Sequence, residues 1–125
     1  MKKALSLCVF LSWNAFAGCN FGNSESLTTN DFEYMEKDEV AAYFCGSMIT
    51  VKSYDEMAAS FKNSMPSMAN DYKKGSGMCR TEIKRSSLVL AKKHGLSKEQ
   101  LGKMQSIING GSTGDNLQRC IAVSS

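Results

Sequence analysis

The residues of this sequence that could take part in chemistry are few and lie far apart. His94 is the only histidine and follows two lysines, which suits a helix C-terminus better than a general base. Asp55 and Glu56 are adjacent, and neighbouring acids are typical of the first turn of a helix rather than of an acid–base pair. The pattern therefore predicts no catalytic residue, and a protein that is not an enzyme.

Patterns typical of cofactor or metal binding are present only in part. The stretch at 110–114, Gly-Gly-Ser-Thr-Gly, lacks the Gly-Lys-Ser/Thr ending of a phosphate-binding loop. Met65 and Met68 have a spacing that could bind copper(I) through thioethers, although flexible core packing explains methionines more simply. No Cys-x-x-Cys pair points to zinc. We therefore expect neither a cofactor nor a metal. If the methionines do bind copper, the protein would be a periplasmic metal-binding protein, which is the second alternative function.

The first residues of the chain are typical of a bacterial signal peptide. Lys2 and Lys3 precede an apolar stretch at 4–13, which is too short for a bilayer that needs about 20 residues. Ala15 and Ala17 then form an A-x-A cleavage site. This pattern predicts a leader at 1–17, a flexible N-terminal segment at 18–30, and a periplasmic or secreted protein.

A second cleavage site overlaps the first. Residues 16–19, Phe-Ala-Gly-Cys, resemble a lipoprotein box, in which cleavage after residue 18 would leave a lipid on Cys19. A lipid anchor in the outer membrane is therefore the alternative location, and we expect contact with a membrane only in that case.

The cysteines help to choose between the two sites. Cys8 lies in the leader, and cleavage before Gly18 would leave four cysteines, Cys19, Cys45, Cys79 and Cys120. An even number in an oxidising compartment predicts two disulfides, whereas lipidation of Cys19 would leave one thiol unpaired. The cysteine count thus favours secretion without a lipid, and the three pairings that four cysteines allow stay open.

Helix signals are frequent in the remaining chain. Ser53 with Glu56, and Ser97 with Gln100, have the spacing of a capping box that begins a helix. Lysines followed by glycine predict helix ends at 73–75 and 92–95. We therefore predict one all-α domain at 31–125, a small antiparallel bundle of four to five helices stapled by disulfides.

Charge gives the remaining indication of function. Lys2 and Lys3 leave with the leader, so the mature chain is nearly neutral and the sequence predicts no nucleic-acid partner. Charges are nevertheless clustered. The candidate partner-binding residues are basic, namely Lys84, Arg85, Lys92 and Lys93. An acidic run is the alternative, formed by Glu33, Glu36, Asp38 and Glu39.

These observations predict a small exported envelope protein that acts by protein binding, as an immunity protein or inhibitor, a chaperone, or a secretion accessory factor. Its partner would be another protein of the cell envelope or a secreted effector. A lipobox, a polar tether and a helical domain are also the general architecture of the pilot lipoproteins of secretion systems. A membrane-tethered protein of the pilot type is therefore the alternative.

Overall fold

The computed structural model describes residues 29–125, and this part of the chain forms five helices that pack together without any strand. They are α1 (Thr29–Glu33), α2 (Lys37–Phe61), α3 (Pro66–Lys92), α4 (Lys98–Asn109) and α5 (Gly114–Val123). The all-α prediction is thereby confirmed. The predicted leader and Cys19 lie outside the described residues.

Helices α2 and α3 form a long antiparallel hairpin that organises the domain. They contain 25 and 27 residues, so each is about 40 Å long at the usual rise of an α-helix. α2 begins at a capping box, in which the backbone N–H of Glu36 donates to Glu39 Oε1 at 2.9 Å. Near the connection between the two helices, the Tyr72 ring lies 5.5 Å from that of Tyr54 and 6.2 Å from that of Phe61.

The helix start predicted at Ser53 and Glu56 is wrong. Both residues are exposed inside α2, which has already begun at Lys37. Val51 and Ala58, on either side of them, are buried. Packing of these side chains keeps the helix continuous, and it outweighs a capping pattern worth about 1 kcal/mol.

The helix end predicted at 73–75 is also wrong, because α3 continues through it. Gly75 and Ser76 are buried within α3. The helix ends at Lys92, and the chain then turns at Gly95, which has a positive φ of 71° and is the only described residue in that conformation. There the backbone N–H of Leu96 donates to the carbonyl of Leu90 at 3.0 Å, and the chain turns Leu96 into the core.

The last two helices begin as their local sequence indicates. Ser97 Oγ accepts from the Gln100 backbone N–H at 3.1 Å, and Gln100 Oε1 accepts from the Ser97 N–H at 2.9 Å, which confirms the second capping box. α5 is capped by Thr113, whose Oγ1 accepts from the Asn116 N–H at 3.1 Å. The predicted glycine-rich loop connects these helices, and Gly114 becomes the first residue of α5.

The main core lies between the first half of α2, the last turns of α3, and the inner faces of α4 and α5. Its largest fully buried members are Phe32, Leu90, Met104 and Ile108. A disulfide between Cys45 and Cys120 joins α2 to α5 and confirms that the bundle is stapled. Cys79 of α3 is disulfide-bonded as well.

None of the helices in residues 29–125 is both long enough and apolar enough to cross a membrane.

Candidate binding groove

An open groove runs along the domain between α3 and α4, with α2 as its floor. It has a volume of about 760 Å³. Phe44, Met48 and Val51 of α2 form the apolar part of the floor, at the four-then-three spacing of one helix face. These three side chains are buried in the domain, so their upper edges alone face the groove.

The two walls are amphipathic. Ile83 of α3 and Leu101 of α4 are half-buried and add apolar surface. The polar lining comes from Ser87, Lys98, Gln105 and Asn109 together with the charged residues at the far end of the groove. A surface of this kind, apolar at the bottom and polar at the rim, is typical of binding sites.

Gly102 lies on the α4 wall of the groove. It is exposed in the interior of α4, and a Cβ atom built on it would meet nothing within 4 Å. Glycine in a helix interior lowers stability by about 0.5–1 kcal/mol relative to alanine. A side chain at this position would project into open space.

Three cations and one carboxylate line the groove. Arg80 Nη2 pairs with Asp55 Oδ2 at 2.6 Å, while Ser76 Oγ donates to Asp55 Oδ1 at 2.7 Å. Lys52 Nζ donates at 3.3 Å to the carbonyls of Ile108 and Asn109 at the C-terminus of α4. This lysine thus fixes the end of α4 to α2 and places a positive charge against the negative end of the helix dipole.

The predicted basic residues lie outside the lining of the groove. Lys84 and Lys92 are exposed on α3, one turn before and one turn after Leu88, and Arg85 is half-buried. Leu88 is 45% exposed, so this face has an apolar centre with basic neighbours. Lys93 instead ends α3, and its Nζ donates to the carbonyl of Glu33.

Residues of the acidic run contribute to the start of α2 and to a contact between α1 and α3. Glu39 caps α2 through the backbone of Glu36, and Asp38 lies in the same first turn, where acids favour helix formation. Glu33, the last residue of α1, gives its carbonyl to Lys93. All four acidic residues are exposed.

His94 lies beyond the end of α3, away from the groove. Its Nε2 atom is buried and has no hydrogen-bond partner among the described residues. This burial lowers the pKa of His94 below its ordinary value, and the positive charges of Lys93 and Lys37 lower the pKa further while Glu36 opposes them. The histidine is therefore neutral near pH 7.

Tyr43 is the second titratable side chain whose chemistry is changed. Burial raises the pKa of Tyr43 to about 12, and the negative charge of Glu82 adds to the rise. Its ring packs edge-on against Phe32, with 5.1 Å between the ring centroids. Tyr43 is therefore a protonated part of the core at neutral pH.

The methionine pair lies at the far end of the hairpin. Met65 and Met68 are 46% and 36% exposed at the connection between α2 and α3. Within residues 29–125, no three His, Cys, Asp or Glu side chains come together in a group that could hold a metal ion.

Sequence reasoning missed the groove because its floor and walls come from three helices, and the floor on α2 lies far in the chain from the wall on α4. Arg80 and Lys98 are visible in the sequence only as members of a long basic stretch, and Lys52 carries no local signal. One indication was present, since Gly102 interrupts an amphipathic helix without ending it.

No protein-family model matches this sequence, and the comparisons with characterised proteins and with solved structures found no significant similarity.

Proposed function

We propose that this protein is exported and acts without catalysis, by binding another envelope protein or a secreted effector in the groove between α3 and α4. It would serve as an immunity protein or inhibitor, a chaperone, or a secretion accessory factor. The single observation that supports this most is the groove itself, an open channel with an apolar floor and cations at its rim.

The chemistry of the lining favours binding over reaction. The lining contains no histidine or cysteine, and its one carboxylate, Asp55, is already bound by Arg80 and Ser76. Ser87, the one hydroxyl there, donates to the carbonyl of Lys84 at 2.9 Å. None of these groups is a nucleophile placed beside a base.

The disulfides support export. The Cys45–Cys120 bond is typical of an oxidising compartment. Cys79 is also bonded, and the remaining cysteines of the chain are Cys8, in the predicted leader, and Cys19. Pairing of Cys79 with Cys19 would use the thiol that a lipoprotein needs for its lipid. The proposal is therefore a protein of the periplasm or the medium without a lipid anchor.

Site-specific photocrosslinking in cells that produce the protein tests this function. A photoreactive residue would replace Gln105 in the groove or, as the matched control, Gln118, an exposed glutamine of α5 outside the groove. We expect a discrete heavier adduct from position 105, none from position 118, and loss of the adduct when Gly102→Trp fills the groove. Identical adducts from both positions, or an adduct that survives Gly102→Trp, would contradict the proposal.

A further inference from the structure

The charges of the groove are arranged in a way that specifies its occupant more closely. Lys98 is exposed at one end, as the first residue of α4. The first turn of a helix is already the positive end of the helix dipole, so Lys98 increases the positive potential at the groove, while Glu99 of the same turn lies outside the lining. The one carboxylate of the lining lies at the opposite end, and Lys98 therefore has no acidic neighbour within the groove.

The other end is also positive. The Arg80 side chain is 61% exposed, and its pairing with Asp55 leaves further guanidinium N–H groups that face solvent. Asp55 accepts from both Arg80 and Ser76, so its carboxylate is held in place. The charges of Arg80 and Asp55 offset each other, and the net positive charge of this end comes from Lys52. Lys52 adds another cation one turn away, at the C-terminus of α4.

The distance between these ends matches a short helix. The groove extends along α4 from Lys98 to Asn109, which are eleven residues apart in sequence and hence separated by about 17 Å in an α-helix. Three turns of a second helix have this length.

We infer that the groove binds an acidic amphipathic helix of about three turns, with apolar side chains on the floor and carboxylates near Lys98 and Arg80. This inference rests on the proposed function and names the chemistry of the partner segment. The floor side chains are already largely covered within the domain, so the contact is small. A small contact corresponds to a weak complex.

Two synthetic peptides test the inference directly. The acidic peptide has about 18 residues, is held helical by hydrocarbon staples, and has leucine at i, i+4 and i+7 flanked by glutamates. The basic peptide is identical except that each glutamate is a lysine. Both would be labelled and titrated with the mature, oxidised protein by fluorescence anisotropy, while amide NMR shifts locate the contact.

The acidic peptide should bind at least about tenfold more tightly than the basic one, and raised salt should weaken its binding. Its shifts should centre on Lys98, Leu101 and Gly102. Lys98→Glu should remove most of the preference for the acidic peptide. Lys103→Glu is the matched control, because Lys103 is an exposed lysine of the same helix outside the groove, and it should leave the preference unchanged.

Equal affinities for the two peptides, equal effects of the two lysine variants, or shifts outside the groove would overturn the inference. Failure here can be separated from failure of the proposed function. If the peptides show no charge preference while photocrosslinking at position 105 still depends on Gly102, the groove binds a protein of another chemistry. If that crosslinking is absent too, the function itself is contradicted.

Discussion

Cys45, in the first half of α2, is disulfide-bonded to Cys120, in the last helix, across 75 positions of sequence. Both residues are fully buried. The bond ties α5 to the hairpin that supports the groove, and so it holds the short C-terminal helix on the core.

Removal of this disulfide should therefore lower stability strongly. For Cys45→Ala/Cys120→Ala we expect a loss of about 4 kcal/mol in the free energy of unfolding, because the unfolded chain regains the freedom of a long loop. Urea unfolding without reductant, followed by circular dichroism, measures the difference from the wild type. A loss of less than about 1 kcal/mol would show that the bond contributes little beyond the core around it.

The two Ser-x-x-Glu/Gln patterns provide a matched pair of substitutions. Ser97→Ala should lower the free energy of unfolding by about 1 kcal/mol, because the Gln100 N–H loses its acceptor. Ser53→Ala removes the same side chain from an exposed position inside α2, and it should change stability by less than about 0.5 kcal/mol. Comparable losses in urea unfolding would contradict the assignment of Ser97 alone as a cap.

That contrast also shows how far the sequence could predict the fold. The helical class, the helix start at Ser97, the end at Gly95 and the disulfide-bonded state of Cys45 depend on local or compositional signals, and the structure agrees with them. Ser53 and Gly75 have equally good local signals. They lie inside long helices because α2 and α3 pack against each other, which no short window of sequence reports.

The groove could not be predicted for the same reason. Its cations Lys52, Arg80 and Lys98 belong to three helices, and they meet at one surface only after those helices have packed. Sequence reasoning selected basic residues that are close in the chain instead. Lys84 and Lys92 are exposed on α3, Arg85 is half-buried there, and Lys93 is the C-terminal cap of that helix.

The neutral state of His94 predicts a pH dependence of stability. The pKa of His94 is lowered in the folded protein, so the unfolded chain binds the proton first as the pH falls. Stability should be full above the ordinary histidine pKa of about 6.5 and should decrease as the pH falls below it. The urea concentration at which half of the protein is unfolded should decrease more between pH 7 and pH 5 for the wild type than for His94→Gln.

The ring of His94 can also be followed by NMR without ambiguity, because the chain has one histidine. A pH titration midpoint of the ring below that of a histidine in a model peptide would agree with the burial of Nε2. A midpoint at or above the peptide value would contradict the arrangement at the end of α3.

The state of Cys79 predicts the mass of the mature protein. If Cys79 pairs with Cys19, the protein should begin at Gly18, should carry no lipid, and should gain the mass of four hydrogens on reduction of its two disulfides. Intact-mass spectrometry of separated periplasmic and membrane fractions measures this. A lipid adduct on Cys19 in the membrane fraction would instead support the tethered, pilot-type alternative.

The most direct test of the central claim compares two glycine-to-tryptophan variants in binding to the protein captured by the photocrosslink at position 105. Gly102 and Gly77 are both exposed helical glycines whose Cβ would meet nothing within 4 Å, but Gly102 alone lines the groove. Calorimetric titration should show wild-type affinity for Gly77→Trp and at least roughly tenfold weaker binding for Gly102→Trp. Equal affinities for the two variants would contradict the groove as the binding site.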